Sequence, residues 1–188
     1  MSGIFATIVA NSFAKVIKDP LEPFRKGFKD GTMWYRLVSF VKLQLRDKGF
    51  VDFHGLEKFD FHKRFKLSYL FYTELEASIS IGPERTLNVI ARSRCTLKLN
   101  RDKADSYQQT LIVLFLEADF TPVVISESVI LPLEPVQDRE QCTSWAIPNF
   151  AKTAIVALKC DFFVQGASVN RESRKGMQIM KVMDVGSA

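Results

Sequence analysis

Between residues 86 and 133 apolar and polar positions alternate with a period of two. In Leu87, Val89, Ala91, Ser93, Cys95, Leu97 and Leu99 every second side chain is small or apolar, while Arg92, Arg94, Thr96 and Lys98 interleave with them. Such alternation marks strands with one buried and one wet face, so this block predicts three consecutive antiparallel strands with one solvated side. The polar residues 100–106 and the Phe120-Thr121-Pro122 interruption separate them into 87–99, 108–118 and 123–133. Strand patterns recur over 67–81, closed by Gly82-Pro83, and over 155–165, the expected last strand. Met33 to Arg46 also reads with period two, Tyr35, Leu37, Ser39, Val41, Leu43 and Leu45 falling on one side, and predicts a long strand.

Residues 4–18 follow a different rhythm. Ile4, Phe5, Ile8, Val9, Phe13, Val16 and Ile17 recur at helical spacing, which predicts an amphipathic helix. Pro20 is expected to stop it and to leave Pro20-Leu21-Glu22-Pro23 extended. Residues 48–66 are aromatic and charged without a clean period and predict a loop with a helical turn. The fold class is therefore α+β: a β-rich single domain, an antiparallel sheet or sandwich of about six strands with an N-terminal amphipathic helix. Along the chain this gives a helix and basic linker over 1–30, a β-rich core over 31–168 and a flexible C-terminal tail over 169–188.

At 188 residues and 47% hydrophobic content the chain can bury one good core, and its 16 Phe make that core aromatic. Cys95, Cys142 and Cys160 are odd in number and lack metal spacing, which suits a reducing compartment. The apolar run 4–10 has no basic residue before it, as a secretory signal would, and no apolar run reaches the 18 residues of a membrane span. The net charge of +5 is uneven. Residues 1–66 hold 13 Lys/Arg against 7 Asp/Glu, residues 67–133 hold 6 against 8, and the remainder 7 against 6. Basicity concentrated in the first third points to an anionic partner, nucleic acid or a membrane leaflet.

Reactive chemistry is sparse. His54 and His62 lie near Glu57 and Asp60 but lack the i, i+4 pairing or third ligand of a zinc site. Cys95 and Cys160 read as small buried hydrophobes, and Cys142 as an exposed thiol with no histidine nearby in sequence. No glycine-rich phosphate loop, nucleophile elbow or paired-carboxylate pattern occurs. The reading is non-enzymatic, with no catalytic, cofactor-binding or metal residue. It assigns membrane or subunit contact to Ile4, Phe5, Ile8, Phe13, Lys15, Lys18, Arg25, Lys26 and Lys29. A basic sheet face of Arg92, Arg94 and Lys98, backed by Lys42 and Arg46, is assigned to nucleic acid or a nucleocapsid.

A basic, cysteine-poor α+β chain whose basic N-terminal segment leads into the aromatic-headed Met33-Trp34-Tyr35 and then hairpins resembles a viral matrix protein. It is most similar to the short matrix proteins of plant-infecting rhabdoviruses, non-segmented negative-strand RNA viruses, over residues 30–165. The resemblance implies a structural protein that self-associates into a homo-oligomer, condenses the nucleocapsid or RNA, and contacts the inner membrane leaflet. It also implies a place in the virion and in the host cytoplasm or at the inner membrane face. The chain departs from many members in lacking a lysine-rich arm and a Pro-Pro-x-Tyr motif. Two other classes fit the same pattern, a viral coat or movement protein binding RNA and a small β-sandwich adaptor.

Overall fold

Two helices, α1 (Gly3–Leu21) and α2 (Met33–Lys48), precede eight strands in the computed structural model, which describes residues 3–27, 30–69, 76–94, 104–117, 119, 121–133, 138–169 and 175–186. The strands are β1 (Glu76–Gly82), β2 (Thr86–Arg94), β3 (Ser106–Leu116), β4 (Pro122–Pro132), β5 (Asp138–Ala146), β6 (Thr153–Val164), β7 (Ala167–Ser168) and β8 (Lys175–Asp184). They form two antiparallel sheets, one ordered β1-β2-β5 and the other β4-β3-β6, with β7 and β8 both on the far edge of β6.

Burial explains the arrangement. In β2, Leu87, Val89, Ala91 and Ser93 are buried and Arg92 is exposed, the alternation of a strand with one wet face. In β3 every residue from Gln109 to Leu116 is buried, and in β6 every residue from Ala154 to Leu158. Both parities are buried only where both faces of a strand are covered. Leu111, Val113, Phe115, Val156, Leu158 and Phe162 pack toward Leu87, Val89 and Ala91 of the smaller sheet. Ile112, Leu114, Leu116, Ile155, Ala157 and Ile179 pack instead toward Ala10, Ala14, Ile17 and Leu21 of α1 and Leu37 and Val41 of α2. The result is three layers: helices, five-stranded sheet, three-stranded sheet.

Several expectations are corrected. Residues 33–46 are helical, with Met33, Leu37, Val38 and Val41 buried along one side and Gly49 closing the last turn at φ +78°, its N–H donating to the Leu45 carbonyl. Alternating bulky residues mimic a strand there, and tertiary packing selects the helix. Pro20 lies inside the last turn of α1, and Glu22–Arg25 continues as a 3-10 turn rather than an extended segment. Leu21 is fully buried and Arg25 is 4% exposed and bonded to Glu22 at 2.8 Å, and these anchors hold the turn closed. The block 86–133 is split between sheets, and its middle strand, β3, has no wet side. β5 runs through a stretch the pattern left unassigned. Most consequentially, the region expected to be a flexible tail supplies β8, whose Met177, Ile179 and Val182 enter the helix-side core. Residues 58–61 extend that edge further: Lys58 N–H donates to the Ile179 carbonyl (2.7 Å) and Phe61 N–H to the Met177 carbonyl (2.9 Å).

The space between the sheets holds a polar pair, Gln109 Nε2 donating to Gln141 Oε1 at 3.0 Å, and both residues are buried. Gln109→Leu is expected to cost about 1–3 kcal/mol in chemical denaturation, because Gln141 loses its partner. The double substitution Gln109→Leu/Gln141→Leu is expected to recover most of that loss.

Candidate functional site

The helical layer is basic. α1 and α2 together carry Lys15, Lys18, Arg36, Lys42, Arg46 and Lys48 against Asp19 and Asp47, a net +4, which falls to +2 when the carboxylates of Asp30 and Asp52, paired with Arg36 (3.0 Å) and Lys48 (2.7 Å), are counted with them. Lys15, Lys42 and Arg46 are exposed. Large apolar groups stand among them: Ile8 on α1 is 59% exposed, Tyr35 and Leu43 on α2 are 70% and 46%, and Phe50 just beyond α2 is 60%. The layer itself is secured from beneath by Ala10, Ala14 and Ile17. Cations and exposed apolar side chains on the helices of one layer suit an anionic surface with an apolar interior.

The residues assigned to the N-terminal contact divide. Ile8, Lys15 and Lys26 are exposed, and Phe13 is partly buried against the helix-side core. Lys18 is partly exposed, 3.3 Å from Asp19 and over the Trp34 ring. Arg25 is buried on Glu22 and is unavailable to a partner. The side chains of Ile4 and Phe5, and Lys29 as a whole, lie outside the described residues.

The basic sheet face does not assemble as expected. Lys42 and Arg46 belong to α2, in the helical layer, and Arg92 belongs to the outer face of the opposite sheet. Lys98 and the side chain of Arg94 lie outside the described residues. Arg92 is placed opposite Glu76 of β1 and Glu140 of β5, and its Nε bonds to Glu140 Oε2 at 2.8 Å. The register likewise sets Arg94 opposite Asp138. The unrecognised strand β5 thus brings carboxylates to the face that sequence alone made basic. The exposure of Tyr35 and Leu43 is not legible in the pattern, because a strand reading of 33–46 sets them on the same side as Leu37 and Val41, which the helix buries; Phe50 lies in the stretch expected to be a loop. The basic Arg46 and Lys48 followed by Gly49 were the available helix-ending signal.

Cys142, the two histidines and several charged groups elsewhere are bonded within the fold. Cys142 Sγ donates to Glu140 Oε1 at 3.1 Å, and this bond to a carboxylate, with some burial, pushes its thiol up, away from the reactive thiolate. His62 Nδ1 accepts the N–H groups of Arg64 and Phe65, both at 3.1 Å, and caps a turn; His54 lies 3.5 Å from Asp184. A groove of about 530 Å³ opens between β1 and β8, with Asp60, Lys66, Tyr69 and Lys181 among its walls. Burial raises the Asp60 carboxyl, opposed by the N–H of Leu67 and by Gln178, while Lys181 meets Glu57 at 3.4 Å. These polar groups satisfy one another within residues 57–67 and between that segment and β8. Among the described residues no three His, Cys, Asp or Glu side chains are placed to hold a metal ion, and no helix is long and apolar enough to cross a membrane.

No protein-family model matches the chain, and no curated protein matches it. Among solved structures it is similar to the sporulation control protein Spo0M of Bacillus subtilis, at 10% identity and a TM-score of 0.23. That match covers 50% of this chain and 45% of the other, and at such a score it carries no argument.

Proposed function

We propose that this protein is a non-enzymatic assembly protein of the viral matrix kind, which docks its helical face on an anionic membrane leaflet and associates with copies of itself. The observation that carries the reading is the basic helical layer, with Lys15, Lys42 and Arg46 exposed on it beside Ile8, Tyr35, Leu43 and Phe50. Each Lys or Arg near an anionic leaflet contributes about 1 kcal/mol, and the apolar groups add burial at the headgroup boundary. A peripheral protein with such a face binds reversibly and gains from multivalency, as a shell-forming protein requires. The outer sheet face, where Arg92 is balanced by Glu76 and Glu140, has no comparable excess.

Vesicle flotation tests the assignment. Binding to vesicles containing phosphatidylserine is expected at about 0.1 M salt and to weaken as salt rises. The triple reversal Lys15→Glu/Lys42→Glu/Arg46→Glu is expected to lower partitioning at least about tenfold, since three attractions of about 1 kcal/mol become repulsions. A triple variant that floats like the parent would overturn the assignment.

A second reading is favoured by Tyr35 and Phe50, exposed aromatics beside cations, which suit stacking of unpaired bases. On that reading the same face binds single-stranded RNA in a coat, movement or nucleocapsid-contacting role. RNA that competes with vesicles, and that the triple reversal also releases, would support it.

A further inference from the structure

The outermost strand of the five-stranded sheet reads almost identically in both directions. β4 runs Pro-Val-Val-Ile-Ser-Glu-Ser-Val-Ile-Leu-Pro from Pro122 to Pro132. About Glu127 as centre, Ser126 mirrors Ser128, Ile125 mirrors Val129, Val124 mirrors Ile130, Val123 mirrors Leu131, and the two prolines mirror each other. β4 pairs with β3 along one edge, and among the described residues no strand pairs with the other. An unpaired edge presents backbone N–H and C=O groups to any extended chain. Ile130, 65% exposed, stands on this strand with no described element covering it.

We propose that β4 pairs antiparallel with β4 of a second copy across a two-fold axis at Glu127. The inference rests on the self-association in the proposed function and names its surface. In an isologous antiparallel pair, positions mirrored about the axis face each other. Any strand can pair with itself in this way, but here each facing pair is matched: Val123 with Leu131, Val124 with Ile130, Ile125 with Val129, Ser126 with Ser128. Matched cross-strand neighbours are the unit of sheet stability. Slipping the register by two residues, the smallest shift that keeps each side chain on its face, sets Glu127 opposite Ile125 or Val129, so the sequence selects one alignment. Pro122 and Pro132 cannot donate to a ladder and limit the pairing to the strand between them. At the axis Glu127 meets its own copy, and this repulsion keeps the pairing reversible where an uncharged edge would aggregate.

The symmetry has a consequence for the helical face. A two-fold axis relating antiparallel neighbours within one sheet stands perpendicular to that sheet. Both helical layers therefore lie on the same side, and the dimer presents two basic faces to one surface.

Sedimentation equilibrium with light scattering is the test. Glu127→Gln is expected to tighten dimerisation about fourfold, the effect of removing one like-charge contact at about 5 Å in water, and to abolish its strengthening by salt. Ser126→Lys/Ser128→Lys, at two exposed positions, is expected to yield a monomer that melts cooperatively. In a Cys95→Ser/Cys142→Ser background, Glu127→Cys is expected to form a disulfide dimer on mild oxidation. Ser126→Cys alone is expected not to, while Ser126→Cys mixed with Ser128→Cys does. A parent dimer unmoved by the lysine pair and uncrosslinked at Glu127→Cys would overturn this interface while leaving self-association in place. A parent that stays monomeric at every concentration would overturn both, and vesicle flotation reads the membrane assignment independently.

Discussion

Ending the chain at Ser168 is expected to leave no cooperatively folded protein. The removed segment contains Met177, Ile179, Met180, Val182 and Val185, each less than a tenth exposed and shared between the helix-side core and the core between the sheets. Burying a side chain of this kind stabilises by about 1.5–3 kcal/mol. Five of them therefore represent about 10 kcal/mol, comparable to the entire net stability of a typical domain. Truncation also bares the edge of β6 over Thr153–Asp161 and strips residues 58–61 of their partner strand. Circular dichroism melting and limited proteolysis would read the outcome: a broad or absent transition and rapid cleavage. A truncated chain that melts cooperatively within a few degrees of the parent would show that β8 is dispensable.

The second large effect is expected from Asp30→Asn. Asp30 Oδ1 accepts from the N–H of Thr32 (2.7 Å) and its hydroxyl (2.8 Å), and Oδ2 accepts from the N–H of Lys63 (2.8 Å) and Arg36 Nη2 (3.0 Å). One carboxylate thus ties the start of α2 to Lys63, in the segment whose Lys58 and Phe61 N–H groups bond to β8. Burial by itself would raise this carboxyl, but the four hydrogen bonds outweigh it and hold it well below the usual carboxylate range. An amide at that position turns one acceptor into a donor facing donors. The expected loss is about 2–4 kcal/mol, or a fall in melting temperature of about 5–15 °C for a chain of this length. Because the folded-state pKa lies below the unfolded value of about 3.9, this stabilisation is complete above the unfolded pKa. It is lost as pH falls through the folded one. Parent and variant are accordingly expected to differ by a constant amount from pH 5 to 7 and to converge below about pH 4. Parallel loss of stability in both down to pH 3 would remove Asp30 as the source.

Legibility in the sequence followed how many neighbours each segment has. β2 and α1, covered on one side, carry the alternation or stripe that identifies them, and Gly82-Pro83 marks the turn after β1. β3 buries both parities, so its alternation is weak and its two coverings could not be inferred from it. Residues 33–46 failed because bulky residues at Trp34, Tyr35, Val38, Phe40 and Val41 suit a strand as well as a helix. Only packing of Leu37 and Val41 on the sheet decides between them. The polar-looking stretch that becomes β5 hides its inward residues, Gln141 and Thr143, because they are buried yet polar. That omission made Arg92 look like part of a basic face, when its neighbours across the sheet are Glu76 and Glu140. Tail composition likewise concealed β8, whose Lys175, Gln178 and Lys181 interrupt its apolar residues. Charge transferred better: of the +6 visible over residues 1–66, the two helices carry +4 before their pairing with Asp30 and Asp52.

Whether the helical face rather than the outer sheet meets an anionic membrane is read by placing one environment-sensitive fluorophore on each side. In a Cys95→Ser/Cys142→Ser chain, Tyr35→Cys puts the label on α2 and Ser80→Cys puts it on the outer face of β1, both at exposed positions. On addition of phosphatidylserine vesicles, a blue shift and intensity gain are expected from the label at position 35, reversed by about 0.5 M salt, with none from the label at position 80. A response at position 80 without one at position 35 would place the membrane against the three-stranded sheet instead.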